Sequence, residues 1–179
     1  MPRRQPRPLP RLWLMTDERQ GEALWDALER LPRGGGVIFR HYATPGRERR
    51  ALFERVRRIA RRRRLLLLLA GTPREAAAWR ADGVHGASSH SSSRPLIRTA
   101  PAHNRGELVA AGRRADLILL SPVFPTRSHP GAPVLGSVRF AHLARTANRP
   151  VIALGGMTKG RARALRGHHG WAAIDAWSY

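Results

Sequence analysis

The chain has no cysteine and a single lysine, Lys159, so arginine supplies nearly all of its cationic side chains. Without cysteine there can be no disulfide, no thiolate metal site and no thiol nucleophile. The leucine run from Leu65 to Leu69 is far shorter than the roughly 20 apolar residues that span a bilayer. Residues 1–11 are basic and proline-rich with no apolar segment, which predicts a flexible basic arm rather than a signal peptide. We therefore expect a cytoplasmic protein without a membrane partner.

Acidic residues are scarce as well: 12 Asp and Glu stand against 33 Lys and Arg, giving a formal net charge of +21. Such an excess suits nucleic acids or other anionic surfaces. However, the arginines are scattered over predicted helix faces, and neither an RNA-binding motif nor a ladder of aromatic side chains accompanies them. Biased codon usage would give the same abundance of arginine, alanine and leucine. We therefore do not expect nucleic-acid binding, which remains the minor alternative.

Short apolar runs alternate with segments of helical periodicity along residues 12–179, a pattern typical of a parallel α/β sheet in one domain. Eight strands can be counted if two very short ones are accepted, and eight strands favour a closed barrel over an open sheet. The chain, at 179 residues, is short for a (β/α)8 barrel, which usually takes about 250. We therefore predict a compact (β/α)8 TIM barrel with clipped helices after strands 4 and 8.

The predicted strands and helices follow this alternation. The stretch Ser88 to Arg94, after the fourth strand, is predicted to be either a clipped helix or a mobile lid. The strands are predicted at residues 12–15, 37–39, 65–70, 82–85, 96–100, 116–120, 151–154 and 172–174. The helices are predicted at residues 21–31, 45–64, 73–80, 105–114, 136–147 and 159–166.

Gly155 and Gly156 come directly after the seventh predicted strand and before a helix. Glycines let backbone N–H groups approach an anion closely, and a helix N-terminus favours negative charge. In barrels of this type, the loops after strands 7 and 8 usually hold the phosphate. The pair therefore predicts phosphate binding, with a tight turn that needs positive φ as the structural alternative.

The loop after the sixth strand carries Thr126, Ser128 and His129 between prolines. Long polar loops at strand ends usually serve ligands, so we predict that these side chains bind the same ligand, the alternative being a solvated loop. Arg40, at the end of the second strand, is placed to hold an anionic oxygen.

His103 lies at the end of the fifth strand, where an imidazole that titrates near neutrality suits proton transfer. A surface or helix-capping histidine is the alternative. His85 and His90, together with His103, could suggest zinc. We predict no metal, because no supporting carboxylate or i, i+4 histidine spacing accompanies them.

Several stretches carry a family resemblance: LMTD at 14–17, ADGVHGA at 81–87, APAHN at 100–104, SPVFPTRSHPGAPVLG at 121–136, PVIALGGMT at 150–158 and GWAAIDA at 170–176. Over about Leu12 to Trp177 the chain resembles the thiamine phosphate synthase/TenI family. The resemblance implies a (β/α)8 barrel enzyme. The synthases join a pyrimidine methyl pyrophosphate to a thiazole phosphate with Mg²⁺, and TenI-like members isomerise a thiazole carboxylate phosphate.

The resemblance extends to the phosphate half of the site. Where the synthases read Thr-x-Thr-Lys, this chain has Thr-Arg-Ser-His at 126–129, which adds Arg127 to the phosphate-binding set. Gly155 and Gly156 match the family's glycine loop, and His103 matches the proposed acid/base of TenI-like members. Asp175 stands where the family has a small serine, and its charge would repel a phosphate unless it faces away.

The metal half departs from the family. Of the strand-two pattern Gln-Leu-Arg-x-Lys, only Arg40 is kept. The family's Mg²⁺-binding Asn-Asp pair falls at Ala70-Gly71, and its second aspartate falls near His90. Mg²⁺ needs oxygen ligands, which these residues do not offer as carboxylates. We therefore expect no cofactor, with Mg²⁺ required only if the chain is a synthase.

The leading hypothesis is a TenI-like enzyme that binds a thiazole phosphate or a similar small phosphate, with His103 as the catalytic residue. One alternative is a thiamine phosphate synthase with altered Mg²⁺ ligands. A second is a non-catalytic, anion-binding or regulatory barrel. The expected partner is a small phosphorylated thiazole-type ligand, and the sequence leaves a homo-oligomer open.

Overall fold

The computed structural model describes residues 8–86, 93–128 and 130–177. Eight parallel strands form a closed barrel in chain order, with β1 paired to both β2 and β8. The strands are β1 (Leu12–Met15), β2 (Gly36–Phe39), β3 (Leu66–Ala70), β4 (Gly83–His85), β5 (Ile97–Ala102), β6 (Leu117–Leu120), β7 (Val151–Ala153) and β8 (Gly170–Ala173). The predicted (β/α)8 barrel is therefore confirmed, including its very short fourth strand.

Six helices and one 3-10 turn connect the strands. They are the 3-10 turn Glu18–Gln20, α1 (Ala23–Arg30), α2 (Gly46–Arg63), α3 (Pro73–Ala78), α4 (Arg105–Gly112), α5 (Gly136–Thr146) and α6 (Lys159–Ala164). Within the described ranges, no helix follows β4 or β8. Most of Ser88 to Arg94 lies outside the described residues. Strand β5 runs two residues past its predicted end at residue 100, so the chain enters the β5–α4 turn directly at His103.

Side chains alternate between the inside of the barrel and the layer under the helices, because successive residues of a strand face opposite ways. The inward set forms a buried cluster that includes Trp13, Ile38, Leu68 and Leu119. The outward set packs against the helices in two larger clusters. Helix α2 shows why a very basic segment still packs, because its buried Phe53, Val56 and Ala60 recur at helical spacing along one face.

Trp13 closes the barrel at the N-terminal ends of the strands. Its side chain is fully buried, and its indole N–H donates to the carbonyl of Pro10 at 2.8 Å. Gly36 leaves room for the ring, since a Cβ there would lie 2.3 Å from it. Leu9 packs against the inward cluster, and its carbonyl oxygen is 3.1 Å from His169 Nε2. Leu9 and Pro10, which make these contacts, lie before residue 12, the predicted start of the domain.

The carboxyl ends of the strands all meet at the opposite end, where the helices begin. Thr72, Asn104 and Thr158 cap α3, α4 and α6, each accepting the N–H of the residue three positions on. These caps fix the short turns that follow β3, β5 and β7. None of the helices in the described part of the chain is long and apolar enough to span a membrane.

Candidate functional site

A cavity of about 460 Å³ opens at the carboxyl ends of the strands, chiefly between the loops that follow β6, β7 and β8. Apolar side chains such as Met15 and Leu154 contribute to its lining. Every predicted site residue within the described ranges also lines it: Arg40, His103, Thr126, Arg127, Ser128, Gly155, Gly156 and Asp175. His129 lies outside the described residues. The structure thus brings the predicted residues together, although the role of each is a separate question.

The glycine pair packs tightly against the loop that follows β6. Gly155 and Gly156 have φ values of +93° and +61°, so the tight turn of the structural alternative is present. A Cβ at Gly155 would lie 2.7 Å from Pro122, and one at Gly156 would lie 2.4 Å from the carbonyl oxygen of Pro125. Within the described chain, neither glycine N–H has a hydrogen-bond partner. The turn therefore presents two donors beside the cavity, as an anion site requires.

Arg161 adds a cation beside the glycine pair. It lies in the first turn of α6, donates from Nη1 to the carbonyl oxygen of Gly156, and lines the cavity. Its guanidinium carbon lies 4.8 Å from the centre of the Phe124 ring, which fixes its position. Because α6 has only six residues, its dipole adds little, and this guanidinium is the stronger source of positive charge.

Asp175 forms an ion pair across the cavity mouth. Its Oδ2 accepts a hydrogen bond from Arg127 Nη2 at 2.6 Å, and both side chains are substantially exposed. The carboxylate therefore lines the cavity rather than facing away from it, but an adjacent guanidinium balances its charge. A phosphate that binds Arg127 must compete with Asp175.

Asp17 organises a second group of cations at the mouth. Its carboxylate accepts hydrogen bonds from Arg40 Nη2 at 2.7 Å and from Arg19 Nε at 2.7 Å. The hydrogen bond from the Arg19 side chain is the main reason that the pKa of Asp17 is lowered. Arg19 also donates to Ser128 Oγ at 3.1 Å, which ties the β1 end to the β6 loop. Arg40 is thus held by a carboxylate that sequence reasoning did not assign to the site.

His103 is paired with Glu107, one helical turn further along the chain. Its Nδ1 lies 2.8 Å from Glu107 Oε2, and the same oxygen accepts the His103 backbone N–H at 2.8 Å. Asn104 donates to the other carboxylate oxygen at 2.7 Å. The hydrogen bond with His103 lowers the pKa of Glu107, so the carboxylate is charged and holds the proton on Nδ1. Nε2 is then the nitrogen available to a ligand.

The ends of β2 and β3 carry a cation instead of metal ligands. Arg49, which is buried, donates from Nη2 to the carbonyl oxygen of Ala70 at 2.7 Å and to that of Arg40 at 2.7 Å. Its guanidinium also lies over the rings of Phe39 and Trp79. Ala70 begins the pair that aligns with the family's Mg²⁺-binding Asn-Asp. Neither residue of the pair carries a carboxylate, and the Glu75 carboxylate beside Gly71 accepts the Thr72 N–H at 3.0 Å, so a site with a guanidinium on the Ala70 carbonyl does not fit Mg²⁺.

His85 lies inside the barrel near the same end, where a hydroxyl contacts its ring. Its Nδ1 lies 2.9 Å from Thr99 Oγ1. Burial, with a further contribution from the Arg40 charge, lowers its pKa to about 4. No group of three His, Asp or Glu side chains in the described ranges is arranged to hold a metal ion.

Four residues that contact predicted site residues were missed by sequence reasoning, namely Asp17, Arg19, Glu107 and Arg161. Glu107 could have been found from its i, i+4 spacing to His103 at a helix start. The arginines could not, since arginine occurs on nearly every segment of the chain.

A closed eight-stranded parallel barrel, with a glycine turn, hydroxyls and arginines on the loops after strands 6–8, defines a (β/α)8 barrel protein with a cavity at the carboxyl ends of its strands. A family model described as thiamine monophosphate synthase matches residues 12–177. The curated protein named "Putative thiamine-phosphate synthase 2" of Aquifex aeolicus (strain VF5) is 34% identical over 161 residues, covering 84% of this chain and 87% of that protein. The chain therefore belongs to the thiamine monophosphate synthase family.

Solved structures agree with this assignment. A thiamine phosphate pyrophosphorylase from Pyrococcus furiosus superposes with a TM-score of 0.77 at 28% identity, covering 96% of this chain and 88% of that one. A thiamine phosphate pyrophosphorylase from Bacteroides thetaiotaomicron gives a TM-score of 0.64 at 15% identity, covering 93% and 83%, and this likeness shows the fold alone. The family predicted from the sequence motifs is confirmed.

Proposed function

We propose that the protein binds a thiazole phosphate, or a similar small phosphate, and isomerises it in the manner of TenI-like enzymes. The observation that carries this proposal is the contrast between the two halves of the mouth. The strand 6–8 half offers N–H donors and cations around a cavity, whereas at the end of β3, where the resemblance places the Mg²⁺ ligands of a synthase, the Arg49 guanidinium donates to the carbonyl of Ala70.

The phosphate is bound at the glycine pair. The N–H groups of Gly155 and Gly156 donate to its oxygens, and Arg161 supplies positive charge beside them. Arg127 closes the mouth from the β6 loop after partial displacement from Asp175. The hydroxyls of Thr126 and Ser128, which line the same cavity, complete the donor set. His129 is assigned to this set from the sequence alone.

His103 moves the proton. Nε2 takes a proton from one atom of the bound ring and returns it to another, while Glu107 stabilises the imidazolium that forms between the two transfers. Arg40, fixed by Asp17, stabilises negative charge on the part of the ligand farthest from the phosphate. No step uses a metal ion.

The binding proposal is tested by isothermal titration with thiazole phosphate. We expect saturable 1:1 binding that Gly156→Ala weakens strongly, because the new Cβ would collide with the β6 loop at a backbone already at positive φ. Absence of heat above background at millimolar ligand would refute the binding proposal.

Catalysis is tested separately with an isomerisation assay on thiazole carboxylate phosphate. We expect His103→Ala to bind the ligand with nearly unchanged affinity and to lose turnover. If wild type and His103→Ala show the same absence of turnover, the barrel is a non-catalytic anion-binding module.

The 34% identity to a protein named as a synthase favours synthase activity as a second candidate. It predicts Mg²⁺-dependent coupling of a pyrimidine pyrophosphate to thiazole phosphate. We expect no turnover above background in that assay, because the chain lacks a carboxylate at the aligned metal position. Turnover that chelation abolishes would establish the synthase instead.

A further inference from the structure

The end of the barrel opposite the cavity is ringed by arginine. The connections from a helix into the next strand all lie at this end, because the strands are parallel. Each of the six such connections that follow a described helix carries an exposed arginine. These residues are Arg33, Arg64, Arg80, Arg114, Arg149 and Arg166. In the sequence they look scattered, and only the fold places them on one face.

Within the described residues, the carboxylates at this end have partners other than the ring arginines. Asp82 accepts the backbone N–H of Leu67 at 2.9 Å, and Asp116 accepts the backbone N–H of Arg98 at 2.8 Å. Glu29 is paired with Arg62 and Arg63, which lie outside the set of six. None of the ion pairs within the described ranges includes an arginine of the ring. The face therefore has a positive field that an anionic partner can meet.

We propose that this face binds the phosphodiester backbone of a duplex nucleic acid without reading its sequence. Guanidinium groups suit phosphate oxygens, and sequence-independent binding needs nothing else. Single-strand binding relies on aromatic stacking, and membrane attachment relies on inserted apolar side chains. The large exposed apolar residues of the described chain are elsewhere: Tyr42, Val109, Val134 and Val138 lie in none of the six connections.

The ring geometry limits how many arginines reach one duplex. Because the six surround the barrel axis, about three face a straight helix at once. Three phosphate contacts give a slope of about −2.7 in log affinity against log salt concentration. Binding should therefore be roughly 40-fold weaker at 200 mM salt than at 50 mM.

Fluorescence anisotropy with a labelled 20-bp duplex tests the proposal, with DNA and RNA duplexes as separate arms that identify the source of the backbone. The test variant replaces five ring arginines by glutamine: Arg64, Arg80, Arg114, Arg149 and Arg166. The control variant makes the same change at five exposed arginines outside the connections: Arg47, Arg58, Arg74, Arg105 and Arg139. Both variants lose five positive charges. A difference in affinity between them therefore reports where the charges lie rather than the net charge.

We expect the test variant to lose at least 30-fold in affinity at 50 mM salt and the control to lose less than fivefold. Circular dichroism is used to check that both variants fold. Equal losses in the two variants would overturn the proposal, because net charge alone would then explain binding. Tighter binding to a single strand of equal length, or to vesicles containing phosphatidylserine, would also overturn it. Neither result bears on the cavity, which lies at the other end of the barrel.

Discussion

The buried imidazole of His85 makes the stability of this barrel depend on pH in a way that a single substitution should remove. The ring lies inside the barrel, its Nδ1 is 2.9 Å from Thr99 Oγ1, and its pKa is lowered from 6.5 to about 4, mainly by burial. In the unfolded chain the same ring binds a proton near pH 6.5. Between these two values the unfolded state holds more protons, so stability must fall as the pH falls.

The size of the effect follows from the two pKa values. Above about pH 7 the ring is neutral in both states and contributes no pH dependence. Below pH 6.5 the free energy of unfolding decreases with a slope that approaches about 1.4 kcal/mol per pH unit. Between pH 7 and pH 5 the loss is about 2 kcal/mol, and it levels off below pH 4, where both states are protonated.

Urea unfolding of wild type and His85→Asn at pH 7 and pH 5 measures this term. Asparagine keeps a polar atom near the position of Nδ1 but cannot be protonated. We expect the stability difference between the two proteins to change by about 2 kcal/mol in favour of the variant at pH 5. His41, whose pKa burial also lowers, contributes equally to both proteins and cancels. The exposed His142→Asn serves as the control, and pH profiles that run parallel in wild type and His85→Asn would refute the argument.

Three further predictions concern the barrel floor and the cavity. Gly36→Ala should reduce the free energy of unfolding by about 1–3 kcal/mol in urea titrations, since its Cβ would lie 2.3 Å from the Trp13 ring; unchanged stability would contradict the packing described. Asp175→Asn should tighten thiazole phosphate binding about three- to tenfold by calorimetry, because the ligand no longer competes with a carboxylate for Arg127. Weaker binding in that variant would mean that the carboxylate itself positions the ligand. Glu107→Gln should lower turnover about 10- to 100-fold with little change in ligand affinity, whereas equal losses in both would indicate a structural role.

The fold could be predicted from sequence because its signals are local. Apolar runs such as 117–120 end abruptly at turn residues, and they recur eight times between helical segments. The first and last residues of the strands and helices differ from the predicted ones by at most two positions. At β5 the predicted strand ended at residue 100. In the structure, the paired register continues to Ala102.

The candidate site could be predicted where glycine, histidine or a hydroxyl cluster stands out against the composition, or where a strand end or the family resemblance marks a position, as for Arg40, Arg127 and Asp175. Gly155, Gly156 and His103 met that condition. Arg19 and Arg161 did not, because an arginine carries little information in a chain with 33 basic residues. The pairing of Arg19 with Ser128 joins residues 109 positions apart, and such contacts follow only from closure of the barrel.

The common location of the ring arginines could not be predicted from the sequence either. Each of these arginines is an ordinary residue in an ordinary helix-to-strand connection, and no motif links one to the next. Their common location follows from the parallel arrangement of the strands. From composition alone, codon bias was therefore the favoured explanation of the arginine content. The closed topology shows instead that these six arginines lie on one face.

The indole of Trp13 has a consequence for how the two ends of the molecule relate. It fills the barrel axis near the N-terminal ends of the strands, and it is not among the residues that line the cavity. Ligands bound at the two ends could influence each other only through the strands of the barrel. These strands are short and closely packed, so they have little freedom to shift. Separate ends of this kind would let one chain bind a small phosphate and a polyanion at the same time.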